Sequence, residues 1–176
     1  MKPTKLLTGM ILLIVIFIAA DLLLPKFVKP SAKPELPEVM PADFNFVLKY
    51  GVDAKNILDT KIFKFTKDMI AETPITTDLV LSDNEMKEIY DKMKTMDILD
   101  YEDAFMSFSM ANQTLYNTYI FQFTYDGKDK TIYWHDKSSS TSEKAVRLRE
   151  LFTTIISDIE GNYAYQKLPA PQGNYE

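Results

Sequence analysis

The apolar and polar positions divide this chain into three stretches of different character. Leu6 to Leu24, LLTGMILLIVIFIAADLLL, is apolar apart from Thr8, Gly9 and Asp21. At a helical rise of about 1.5 Å per residue the run reaches roughly 28 Å, close to the thickness of a bilayer's hydrocarbon core. It predicts an N-terminal transmembrane helix in residues 1–24, with the lipid bilayer as partner through residues 6–24. Asp21 lies near one end of that helix, where its carboxylate reaches the interface at modest cost. The alternative is a cleaved signal, with Ile18-Ala19-Ala20 as the small-residue site and a secreted chain starting at Asp21. Against cleavage, Leu22-Leu23-Leu24 carries the apolar run past that site.

From Pro25 to Pro41 the apolar pattern vanishes. Five of the nine prolines fall in PKFVKPSAKPELPEVMP. Such spacing favours extended polyproline II at ~3.1 Å per residue, so the segment reads as a spacer of about 50 Å.

Residues 42–168 carry regular periodicities and suit one globular domain, followed by a tail at 169–176. Phe44, Phe46, Leu48 and Tyr50 share one face of a strand, with Asn45, Val47 and Lys49 on the other. A second strand is expected at 60–67, where lysines alternate poorly with Ile62, Phe63 and Phe65. A third, at 75–81, puts Ile75, Thr77, Leu79 and Leu81 together. Ser82-Asp83-Asn84-Glu85 is a capping box, and Met86, Ile89, Tyr90, Met93 and Met96 follow at helical spacing. Asp126-Gly127 marks a hairpin between Asn117 and His135. A two-residue loop pairs Tyr125 with Lys128, Phe121 with Ile132 and Tyr119 with Trp134. A four-residue loop from Asp126 to Asp129 shifts that register and keeps the same face. A last helix at 141–160 repeats a capping box in Ser140-Thr141-Ser142-Glu143. It aligns Leu148, Leu151, Phe152, Ile155, Ile156 and Ile159, and Gly161 ends it. The order β-β-β-α-β-β-α predicts an α+β, two-layer domain: an antiparallel sheet of about five strands with two helices on one face. Tyr165 to Pro169 reads as a tail laid back on the sheet, anchored by Leu168.

Charge narrows the partners. The chain has a net charge of −5, and Lys2, Lys5 and Lys26 lie in or beside the apolar segment, so the remainder is more acidic still. Nucleic acid needs clustered positive charge, which excludes it as a partner. Lysines flank both ends of the apolar run, so their count does not orient it. The short basic head resembles the start of an export signal and places the large domain on the extracytoplasmic side. The chain contains no cysteine, which removes disulfides, a thiol nucleophile and a lipid-modified cysteine.

Candidate chemistry is sparse. With one histidine, His135, placed at a strand end opposite the face of Trp134, the Ser-His-Asp and Cys-His arrangements lose most of their routes. One imidazole and no thiolate do not fill a nitrogen–sulfur zinc site. Asp97, Asp100, Glu102 and Asp103 form the densest acidic group, without the spacing of an EF-hand loop. None of the five glycines belongs to a phosphate-binding motif. No cofactor, metal or catalytic residue is therefore assigned. Phe105, Met106, Phe108 and Met110 form an apolar stretch between the acidic group and the hairpin. It is read as a partner surface, or else as a further strand or a loop over the core.

Several motifs together carry a resemblance. Tyr50-Gly51-Val52, Asn56-Ile57-Leu58-Asp59-Thr60, Thr66-Lys67-Asp68, LSDNEMKEIYDKM and Tyr165-Gln166-Lys167-Leu168-Pro169 resemble a group of exported or membrane-anchored Gram-positive bacterial proteins of unknown function. The resemblance covers most of residues 43–170. It implies a bacterial cell-envelope setting and carries no functional residue across. The function expected is that of a membrane-tethered, non-catalytic domain binding a protein or envelope partner. The alternatives are a hydrolase or metal-dependent enzyme using Asp59, Asp68 or the Asp97–Asp103 group, and an inhibitor or immunity-type protein of an envelope enzyme.

Overall fold

Alternation of apolar and polar residues builds the sheet. In β1 (Asn45–Tyr50) Phe46 and Leu48 are buried, and Asn45, Val47 and Lys49 face the other way. β1 lies between β2 (Asn56–Asp59) and β6 (Asn117–Tyr125). The full order is β4-β3-β2-β1-β6-β7-β5, with β3 at Lys64–Lys67, β4 at Ile75–Asp78, β5 at Ala104–Met106 and β7 at Lys128–Asp136. Six strands run antiparallel, and the short β5 joins β7 in parallel. These assignments come from a computed structural model, which describes residues 33–106, 117–136 and 141–175. The predicted transmembrane segment lies outside the described residues. Among the described residues no helix is long and apolar enough to cross a membrane.

One face of the sheet is covered by α1 (Asp83–Thr95) and α2 (Glu143–Gly161), giving the two-layer α+β architecture. Ile89, Tyr90 and Met93 of α1 and Leu148, Leu151, Phe152, Ile155 and Ile159 of α2 meet the inward residues of the strands. Phe152 sits at the centre of the aromatic packing, 4.7 Å from Tyr119, 5.5 Å from Phe121 and 6.0 Å from Trp134 by ring centroids. The compact unit runs over Pro34–Glu176. The last of the proline-rich residues therefore belong to it: Leu36 is buried, and the Tyr90 hydroxyl donates to the Pro37 carbonyl at 2.8 Å.

Four expectations change. The strand expected at 60–67 shortens to β3, because Thr60–Phe63 forms a turn, and that turn joins it to an unexpected strand, β2, at 56–59. Ile62 and Phe63 cannot both point inward beside Phe65 on a strand of period two, and the turn removes the conflict. With β5 added, the sheet has seven strands rather than about five. The α2 cap is Ser142, whose Oγ accepts from the Ala145 N–H at 3.3 Å. Ser140, the expected cap, lies outside the described residues. Gly161 is the last helical residue but is not left-handed; Asn162 ends α2 and caps a single further turn, α3 (Tyr163–Gln166), through Ala164 N–H.

Other readings hold. The capping box of α1 is complete, with the Ser82 side chain and the Glu85 carboxylate each accepting from the other's backbone N–H. The hairpin takes the two-residue loop, pairing Tyr125 with Lys128 and Tyr119 with Trp134. Asp126 and Gly127 have φ of 48° and 70°, both positive as a type I′ turn requires.

Candidate functional site

The acidic residues do not converge. Asp59 caps the β2–β3 turn, its Oδ1 accepting from Lys61 N–H at 3.0 Å and Ile62 N–H at 3.3 Å. Asp68 caps the turn after β3 by accepting from Ile70 N–H at 3.0 Å. Asp103 pairs with Lys130 at 3.1 Å, beside β7. Asp97 precedes the 3-10 turn at Ile98–Asp100 with a left-handed backbone, φ of 54°, and makes no side-chain cap; its main-chain carbonyl accepts from Asp100 N–H at 2.9 Å. Among the described residues no three His, Cys, Asp or Glu side chains gather to hold a metal ion. His135 is exposed on the open face, its Nδ1 3.1 Å from the Thr118 hydroxyl.

A groove of about 700 Å³ runs between the helices, lined by Lys87, Glu88, Asp91, Lys92, Arg147 and Glu150. Its charges are largely matched along the helices themselves, through Lys87–Asp91, Lys92–Glu88 and Arg147–Glu143 pairs four residues apart. This is a solvated helical surface rather than a site.

A second groove, of about 470 Å³, has a different character. It lies where the chain enters β1, between the β2–β3 turn, the end of β4 and the start of α1. Phe44, Leu81 and Met86 supply apolar lining, and Phe63 and Val80 stand beside them with 54% and 57% of their surface exposed. Ile62, next to Phe63 on the same turn, is 59% exposed. Isolated exposed apolar residues are ordinary, but two of them lining one groove, with Ile62 next to Phe63 in the chain, make a patch.

The turn presenting that patch is clamped from both ends. Thr60 is buried; its Oγ1 accepts from Phe46 N–H at 2.8 Å and donates to Phe46 O at 3.0 Å. The Thr60 N–H also reaches Phe46 O at 3.0 Å, and Leu79 N–H donates to Phe63 O at 2.9 Å. Between the clamps Phe63 adopts a left-handed backbone, with φ of 56°. For a bulky side chain that conformation costs about 1–3 kcal/mol and persists only where surrounding bonds over-determine it. The fold thus holds an aromatic ring out in water with a strained backbone.

Of the sequence-derived partner surface, Phe105 and Met106 fall in β5, so the further-strand alternative holds for Ala104–Met106. Phe108 and Met110 lie outside the described residues. The exposed apolar residues that reading did not name are Ile62, Phe63 and Val80. For Ile62 and Phe63 the signal was the broken alternation in Lys61-Ile62-Phe63-Lys64-Phe65, which marks a turn displaying apolar side chains rather than a poor strand; Val80 had none.

Two titrating groups stand out. Burial pushes the Asp158 carboxyl up to about 6, helped by Glu85 and Glu88 across the helix pair. The Gly127 N–H holds Asp43 below its ordinary range, with Asp126 N–H adding to it; the bonds are 2.7 and 3.0 Å. Comparison of the chain with protein-family models, with curated proteins and with solved structures finds no match.

Proposed function

We infer that this chain is a membrane-tethered, extracytoplasmic domain that binds a protein or cell-envelope partner and does no chemistry of its own. The tether is the apolar run Leu6–Leu24, and the proline-rich segment after it is the spacer. The observation that carries the binding role is the clamped, left-handed turn exposing Phe63 beside Val80 and an apolar groove. Strain kept at an exposed aromatic residue has no use in packing, and a partner's apolar side chain is what such a groove fits.

A photo-crosslinking amino acid at position 63 of the full chain, expressed in its own host, tests this. A discrete adduct is expected from position 63, and none from position 88 on the α1 surface. Phe63→Ser in a chain carrying the crosslinker at Val80 should abolish the adduct. Equal adducts from 63 and 88, or none from either, would count against the groove as the binding site.

A further inference from the structure

A second surface is already filled by the chain itself. Past α3, residues 169–175 return to the turn that follows β3 and hydrogen-bond to it as a strand would. Gln172 N–H donates to Met69 O at 3.3 Å, and Ala71 N–H donates to Gln172 O at 3.1 Å, making a parallel bridge between Ile70 and Gln172. Side chains flank that bridge. Lys67, 7% exposed, donates from Nζ to Pro169 O at 2.9 Å and lies 4.5 Å from the Tyr165 ring centroid. Asp68, 5% exposed, accepts from the Tyr175 hydroxyl. Two neighbouring buried ionisable residues are thus bonded to this one returning segment, Lys67 donating to a main-chain carbonyl and Asp68 accepting from a phenol. Burying such groups is costly unless they are hydrogen-bonded, so the surface is built around that complement.

The receiving turn is itself strained. Ile70 is β-branched and left-handed, with φ of 64°, and Asp68 Oδ1 holds its N–H in place. On the other side Gly173, at φ of 89°, approaches so closely that a Cβ there would lie 3.2 Å from the Ala71 Cβ. Only glycine meets both demands at that point. The requirements on the occupant are therefore specific: two main-chain bonds from one residue, glycine next, and a tyrosine two residues after the glycine.

We propose that Met69–Ala71, flanked by Lys67 and Asp68, is a receptor edge for an extended Gly-x-Tyr peptide of a partner protein, and that residues 169–175 occupy it as an internal stand-in. The mode is strand addition, in which main-chain bonds give affinity and flanking side chains give selectivity. An internal occupant competes by effective concentration, so an outside peptide binds weakly until the segment is displaced. Lys67 and Asp68 become solvated when it leaves, which lets the edge open without stranding a buried charge. The edge is separate from the Phe63 groove and does not depend on the anchor.

The test uses the full chain in detergent micelles and a fluorescent peptide with the sequence of residues 168–176. Deleting 169–176 is expected to tighten peptide binding at least ten-fold over the intact chain. Replacing the peptide's tyrosine by phenylalanine, or its glycine by alanine, should weaken binding by a similar factor. A deletion variant that keeps its thermal transition yet shows no tighter binding overturns the proposal. Should the deletion variant not fold, amide exchange in the intact chain decides. Ala71 exchanging at least a hundred-fold faster than Phe121 and Phe123 supports a displaceable segment, and exchange only through global unfolding overturns it. A concentration-dependent dimer of the intact chain would assign the edge to exchange between copies, and so overturn the partner assignment.

Discussion

At the scale of single residues, charge placement sets the sharpest expectations. Asp158 has a folded pKa raised to about 6, above its unfolded value, so the native state binds its proton more tightly. Its contribution favours folding at low pH and is lost as pH rises from about 4 through 6. Asp158→Asn should raise the melting temperature at pH 7, by a gain of about 1–2 kcal/mol after solvent screening, and leave it unchanged near pH 4. Asp43 has the opposite sign: its folded pKa is lowered, so its contribution is present at neutral pH and lost in acid. Asp43→Ala should therefore lower the melting temperature at pH 7 and not at pH 2.5. The buried ion pair gives a third case. Arg149 binds the buried Asp136 through two bonds, of 2.8 and 2.9 Å, so Arg149→Leu leaves a carboxylate in the interior without its counter-ion. A loss of about 2–4 kcal/mol is expected in urea unfolding. None of these pairings could be read from sequence, because each joins residues whose distance only the fold sets. His135 was legible, since strand parity alone puts it opposite Trp134.

Elements follow local rules wherever a local rule is complete. Ser82 to Glu85 contains both halves of a capping box, and α1 starts there. Asp126-Gly127 meets the two positive φ values of its turn, which also settles the hairpin register left open by spacing alone. Gly127→Ala should cost about 1 kcal/mol, because alanine resists φ near 70°, and should show in thermal unfolding with an unchanged fold. A larger loss would mean that the turn carries more than backbone preference, and Asp43 would be the first place to look. Local rules fail at Thr60–Phe63. Nothing near these residues says that Thr60 will be fixed by Phe46, fourteen positions earlier, or that Phe63 will be forced left-handed. The candidate groove was therefore illegible for the same reason that it is informative: tertiary bonds override the local preference of its residues.

For the whole molecule, amphipathic patterning was enough to give the α+β class and the side on which the helices lie. It did not reach the strand at Asn56–Asp59, whose four residues are too few to show a period. Nor did it reach the returning segment at 169–175, which is held by main-chain bonds rather than by an apolar stripe. The proposed role depends on where this domain is held, and that depends on lipid accepting residues 6–24. The direct measurement is to treat intact cells of the native host with protease, wash their membranes in alkaline carbonate, and identify the surviving fragment by mass spectrometry. A membrane-retained peptide that begins at Met1 and ends within the proline-rich spacer is the expected result. An intact chain in the carbonate supernatant, protected from protease until the cells are lysed, would contradict the account.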